Sequence, residues 1–67
     1  MATLKWTDTL EIAIELADAH PYIDPTQVRF TALMAMVQSL PEFEDAPERC
    51  GERILEAIQQ AWIDEIE

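Results

Sequence analysis

Four carboxylates spaced three, four and three residues apart, Asp8, Glu11, Glu15 and Asp18, are the most chemically suggestive feature of this 67-residue chain. At about 100° per residue they fall within roughly 80° of one another on one side of a helix. No Lys or Arg stands among them. A solvated helix face normally alternates sign to gain i,i+4 ion pairs, whereas four uncompensated acids repel one another, so the stripe reads as a binding surface. Carboxylates without imidazole or thiolate suit hard or moderately soft divalent cations such as calcium, magnesium, manganese or ferrous iron. Asp8, Glu11, Glu15 and Asp18 are therefore the candidate metal ligands, and oxygen ligands alone imply weak binding.

Other chemistry finds little support. Nucleophilic catalysis wants a Ser or Cys beside a base, and the chain has one Ser, one Cys and one His, with no glycine-rich turn to cradle a phosphate or an oxyanion. No enzymatic activity is expected. Cys50 has Arg49 and Arg53 close in sequence, which favours a thiolate, but a lone cysteine in a small helical protein is read as inert. It also falls far short of the roughly four ligands of an iron-sulfur cluster. His20 precedes a proline with no second His or Cys at metal-ligand spacing, so zinc is disfavoured.

The elements that must carry these residues are legible from periodicity. A first helix is expected from a cap at Thr7 or Asp8 to about Ala19, with Asp8 and Glu11 resembling a capping box and Pro21 stopping it. Ile12, Ala13, Leu16 and Ala17 form its apolar side. Before it, residues 1–5 are a lead that runs extended into Trp6, read as a core anchor. His20 to Phe30 holds two prolines and reads as a loop, with one short extended piece at 28–30. Thr31 is the next cap candidate. The helix after it is apolar nearly all round up to Pro41, so it should be the most buried, with Leu33, Val37 and Leu40 facing the third helix.

The stretch from Glu52 to Glu67 is the most strongly patterned. It sets Ile54, Leu55, Ile58, Ala61, Trp62 and Ile66 on one arc, with Glu52, Glu56, Gln60 and Glu67 on the other. Asp45, Pro47 and Glu48 look like a cap, a first-turn proline and a capping-box acid, so this helix is expected to start near Ala46, with Gly51 as the alternative start. Its last turn holds Asp64, Glu65 and Glu67, where the helix dipole makes each acid unfavourable by a few tenths of a kcal/mol, on the order of what a surface charge contributes. Acid kept against stability suggests that the negative charge is itself wanted.

The expected fold is mainly α: one compact three-helix domain over residues 1–67, with at most very short strands. Four Lys and Arg against fourteen Asp and Glu give a formal charge of −10. That charge repels nucleic-acid phosphates and anionic lipid and draws in cations or basic protein patches. At 49% apolar the chain does not read as disordered. One cysteine closes no intrachain disulfide, and neither a signal-peptide pattern nor a bilayer-length apolar run occurs, so a cytoplasmic protein is expected.

LKWTD near the start, DPTQVRFT in the middle, the acidic loop around FED, and ILEAI followed by WIDE together resemble the IscX family, also called YfhJ. The resemblance spans the whole chain. It implies a mostly helical, modified winged-helix domain of the bacterial iron-sulfur cluster assembly system. Family members bind the cysteine desulfurase IscS through an acidic face, at a site similar to that of bacterial frataxin, and bind iron weakly; no catalysis is implied. The family's acidic positions match Asp8, Glu11 and Asp18, the loop acids Glu42, Glu44 and Asp45, and Asp64 and Glu65, which become the candidate partner-binding residues. Glu15, Cys50 and His20 lie outside the family pattern. Pro41 and Ala46 stand where acids are expected, which leaves this loop less charged.

Three functions are therefore weighed. The first is an acidic adaptor or regulator that docks on the desulfurase and holds ferrous iron loosely. The second is a dedicated iron carrier, which needs several convergent oxygens that a flat helical stripe supplies poorly. The third is an acidic mimic of nucleic acid, which the charge permits and the resemblance disfavours. A winged helix that reads DNA must be basic where it docks, and this chain is not.

Overall fold

Apolar residues at helical spacing build three α-helices: α1, Thr9–Ala19; α2, Phe30–Gln38; and α3, Glu52–Ile66, in a computed structural model that describes residues 3–66. Short 3-10 turns at Pro25–Gln27 and Pro47–Arg49 punctuate the two loops. No extended strand occurs among the described residues; the only ladder-like contact there is a parallel bridge between Leu4 and Phe43. The short strands allowed by the sequence reduce to that bridge, and no strand-built wing is present among these residues.

α1 buries Ile12, Ala13 and Leu16, as their spacing dictates, and ends where the His20 amide donates to the Leu16 carbonyl just before Pro21. Its N-cap is Asp8, but the expected capping box does not form. The Asp8 carboxylate instead accepts the Lys5 amide at 2.9 Å, while the Asp8 amide donates to the Lys5 carbonyl, so a turn over residues 5–8 engages the side chain before the helix begins.

α2 starts earlier than Thr31 would cap it. Arg29 is the N-cap, its carbonyl accepting the Leu33 amide, because Phe30 is in phase with Leu33, Met34 and Val37 and packs with them on the core. Leu33, Val37 and Leu40 are buried in the core they share with α3. Yet α2 is not the most buried helix: Thr31, Ala32, Ala35 and Gln38 are exposed, and α3 packs far more extensively on α1. An apolar composition built partly from alanine offers little area to bury.

α3 begins at Glu52, one residue after the alternative start at Gly51 and well past the expected start near Ala46. The Gly51 carbonyl accepts the Ile54 and Leu55 amides, and Cys50 is in an extended conformation that separates the helix from the Pro47–Arg49 turn. Asp45 does not cap this helix, because its carboxylate accepts the Trp6 and Ala46 amides. Leu55, Ile58 and Trp62 are buried and Ile54 and Ala61 half-buried, while Glu52, Glu56 and Gln60 are exposed as expected. Ile66 departs from the expected arc at 51% exposure, because the final turn extends past what covers Trp62. Glu67 lies outside the described residues.

Two ties fix the loops. Leu4 exchanges hydrogen bonds with Glu42 and Glu44, Trp6 sets its ring edge-on to Phe43 at 4.6 Å, and the Trp6 Nε1 donates to the Ala46 carbonyl at 2.8 Å. Trp6 is thus the expected anchor. In the other loop, Asp24 accepts both the amide and the hydroxyl of Thr26, which turns the chain so that Pro25 is buried. Gln59 of α3 then donates to the carbonyls of Pro25 at 2.8 Å and Val28 at 3.2 Å.

Candidate acidic interface

Burying Ile12, Ala13 and Leu16 fixes the rotation of α1, and the same rotation turns Glu11, Glu15 and Asp18 to solvent on successive turns. Asp8, at the head of the stripe, is half-buried and tied to the Lys5 amide. Among the described residues the one ion pair joins Arg49 to Asp45 at 3.8 Å, so the stripe carries its charge unneutralised. The carboxylates are laid out a turn at a time along an outward face. Among the described residues no three His, Cys, Asp or Glu side chains are gathered as a metal site.

The loop acids divide. Glu42 and Glu44 are exposed on either side of Phe43, and the bridge to Leu4 holds them beside the lead into α1. Asp45 sits inward, its side chain 11% exposed, accepting the Trp6 amide at 3.1 Å and the Ala46 amide at 2.8 Å. The Trp6 hydrogen bond holds its carboxyl below the usual carboxylate range against partial burial, helped by the Ala46 amide and the nearby Arg49 and Lys5 charges. Asp8 and Asp45 therefore rest on consecutive amides, those of Lys5 and Trp6, and this short segment joins the helical stripe to the acidic loop. Asp64 and Glu65 are exposed in the last turn of α3, where Gln60 donates to Asp64 at 3.3 Å.

Nothing near Cys50 activates it. Burial raises its thiol above the ordinary value despite the adjacent arginines, and Sγ lies 3.8 Å from the Gly51 carbonyl oxygen. An open hollow of about 350 Å³ is lined by Lys5, Trp6, Thr7, Asp45, Arg49 and Ile54. Its one carboxylate is engaged by backbone, and it sets no nucleophile beside a base.

Three features escaped the sequence reading. Lys5 reaches across to donate from Nζ to the Glu44 carbonyl at 2.6 Å, which no local spacing announces. Gln59 looks like one more polar residue of α3, although its place beside Ile58 and one turn before Trp62 puts it at the edge of the buried arc. Leu10 and Ile14 are exposed at 59% and 39%, lying beside Asp18 on the outward face. A wheel centred on Ile12 and Leu16 would have found them, because they sit roughly 160° from that centre.

Comparison with known proteins gives a consistent context. Residues 4–67 match the family model described as iron-sulphur cluster assembly. An uncharacterized protein of Pseudomonas aeruginosa is 57% identical over 63 residues, covering 94% of this chain and 96% of the relative.

Proposed function

The chain belongs to the iron-sulphur cluster assembly family, the IscX (YfhJ) family, and from that premise we propose that it is a non-catalytic adaptor that docks on the cysteine desulfurase IscS. The observation that carries this reading is the unneutralised stripe of Glu11, Glu15 and Asp18 on the outward face of α1, extended through Asp8 to the loop acids Glu42 and Glu44. A face of one sign recruits a basic patch by long-range attraction and rejects nucleic acid and anionic lipid. Asp64 and Glu65 add to the same field from α3. Frataxin, drawn to a similar basic patch, would compete for it.

Ferrous iron is a loosely held second ligand of the same carboxylates. Oxygen ligands spaced along a helix offer one ion few contacts, so binding is weak and poorly selective, and manganese or excess calcium displaces iron. A dedicated carrier would need its oxygens to converge on one ion, which makes the adaptor the better reading.

Calorimetry with purified cysteine desulfurase at about 0.05 and 0.5 M salt tests the proposal; affinity should fall at least about tenfold, mainly through slower association. Replacing Asp8, Glu11 and Asp18 by Asn, Gln and Asn should weaken both desulfurase and iron binding. Affinity indifferent to salt would sink electrostatic docking, and a variant that loses iron yet binds the desulfurase normally would put the carrier reading ahead.

A further inference from the structure

On the outward face of α1, successive positions around the helix are Leu10, Ile14, Asp18, Glu11 and Glu15. The aliphatic pair is one turn apart and contiguous with the acids, at 59% and 39% exposure. Local physics gives little reason for it. A β-branched isoleucine is a poorer helix former than the Glu, Lys or Gln that would serve on a solvated face. The weak i,i+4 contact between the two side chains does no more than offset that cost. Single exposed aliphatics need no explanation, but a pair set against an unneutralised acid stripe has a direction.

We infer that Leu10 and Ile14 form the apolar heart of the docking face, seating on an arginine-rich protein surface whose guanidinium groups reach Glu11, Glu15 and Asp18. Arginine fits because its methylene stem lies along aliphatic carbon while its planar head pairs with carboxylate. The flanking charge selects this occupant. A second copy of the chain related by a two-fold axis would set the same acids against each other, and anionic lipid or nucleic acid meets the same repulsion. The inference rests on the desulfurase reading and adds a division of labour: the acids set how fast the partner arrives, and the aliphatic pair sets how long it stays.

The test measures association and dissociation rates with immobilised cysteine desulfurase at several salt concentrations. The variants are the double substitution Leu10→Gln and Ile14→Gln, and the triple substitution Glu11→Gln, Glu15→Gln and Asp18→Asn. The double variant should dissociate on the order of tenfold faster with an unchanged salt slope. The triple variant should associate more slowly with a flatter slope. Both are exposed-site changes, and far-UV circular dichroism checks that each is folded; Leu10→Gln alone, at the more exposed position, repeats the test if the double variant is not. Wild-type dissociation from the Gln variant would overturn the inference while leaving the adaptor reading standing. No wild-type binding would overturn both. Concentration-dependent self-association in sedimentation, abolished by the double variant, would reassign the pair to a contact between copies.

Discussion

The Asp45 carboxylate accepts the Trp6 and Ala46 amides, and the Trp6 bond, more than the Arg49 guanidinium 3.8 Å away, holds its carboxyl below the usual range. A carboxyl with a folded pKa below its unfolded value of about 3.9 adds stability that is fully present above the unfolded value. That stability is lost as pH falls through the lower folded one. Asp45→Asn should therefore lower the urea midpoint at pH 7 and converge on wild type as the pH drops well below about 3.9. Arg49→Ala should barely change that profile, because its guanidinium side is 74% exposed and such pairs contribute little. Superimposable wild-type and Asp45→Asn profiles would show that the carboxylate does not brace the loop. The two tryptophans make a related contrast. Trp6 Nε1 is paired with the Ala46 carbonyl, whereas the buried Trp62 Nε1 has no partner among the described residues, and that tryptophan is held by the packing of its ring.

Among the helices, α1 and α3 form the principal pair, and the loop before α2 packs on α3 through the turn at the buried Pro25 and is hydrogen-bonded to it by Gln59. Gln59 donates to the carbonyls of residues 25 and 28; the Pro25 carbonyl also accepts the Val28 amide at 3.3 Å, so removing Gln59 strands the Val28 carbonyl. Gln59→Ala should cost about 1–3 kcal/mol in chemical denaturation. It should speed amide exchange across residues 20–29 while leaving α1 protected. Equal exchange in loop and helix would mean that Pro25 burial, rather than Gln59, holds the segment. The outward face of α1 depends on this same packing, because the rotation that buries Ile12 and Leu16 against α3 is what presents Glu11, Glu15 and Asp18.

At the scale of the molecule, a formal charge of −10 is folded into a radius of gyration of 10.6 Å, close to the roughly 11 Å of a chain this length. Confining like charge in that volume opposes folding, and added salt relieves it. Raising NaCl from about 0.02 to 0.3 M should therefore raise the melting temperature of the free protein, while the same change weakens its complex. Opposite salt responses in one titration separate loss of docking from loss of fold. A melting temperature that falls with salt would mean that stabilising ion pairs outweigh the net repulsion. Among the described residues no helix is long and apolar enough to cross a membrane.

Helix content, the stop before Pro21, the buried arc of α3 through Trp62 and the outward placement of Glu11, Glu15 and Asp18 were all determined by the sequence. Each follows from a period of 3.6 residues and the avoidance of helix before proline, which are local rules. The family was legible for a different reason, since its motifs are spread across the chain. Asp8 and Asp45 direct their carboxylates away from the expected caps, Asp8 through a local turn and Asp45 through tertiary structure. Both look like helix caps in sequence, yet each is drawn to an amide of the Lys5–Trp6 segment, and for Asp45 that partner lies 39 residues away. Tertiary structure also decided that α3 waits until Glu52, with the Asp45 carboxylate taken by the Trp6 amide, and that Gln59 bonds a loop 31 and 34 residues away, because those partners lie where no local spacing encodes them. The exposed Leu10 and Ile14 fall between the two: their angle on the helix was fixed by sequence, but only the packing of α1 on α3 shows that no element among the described residues covers them.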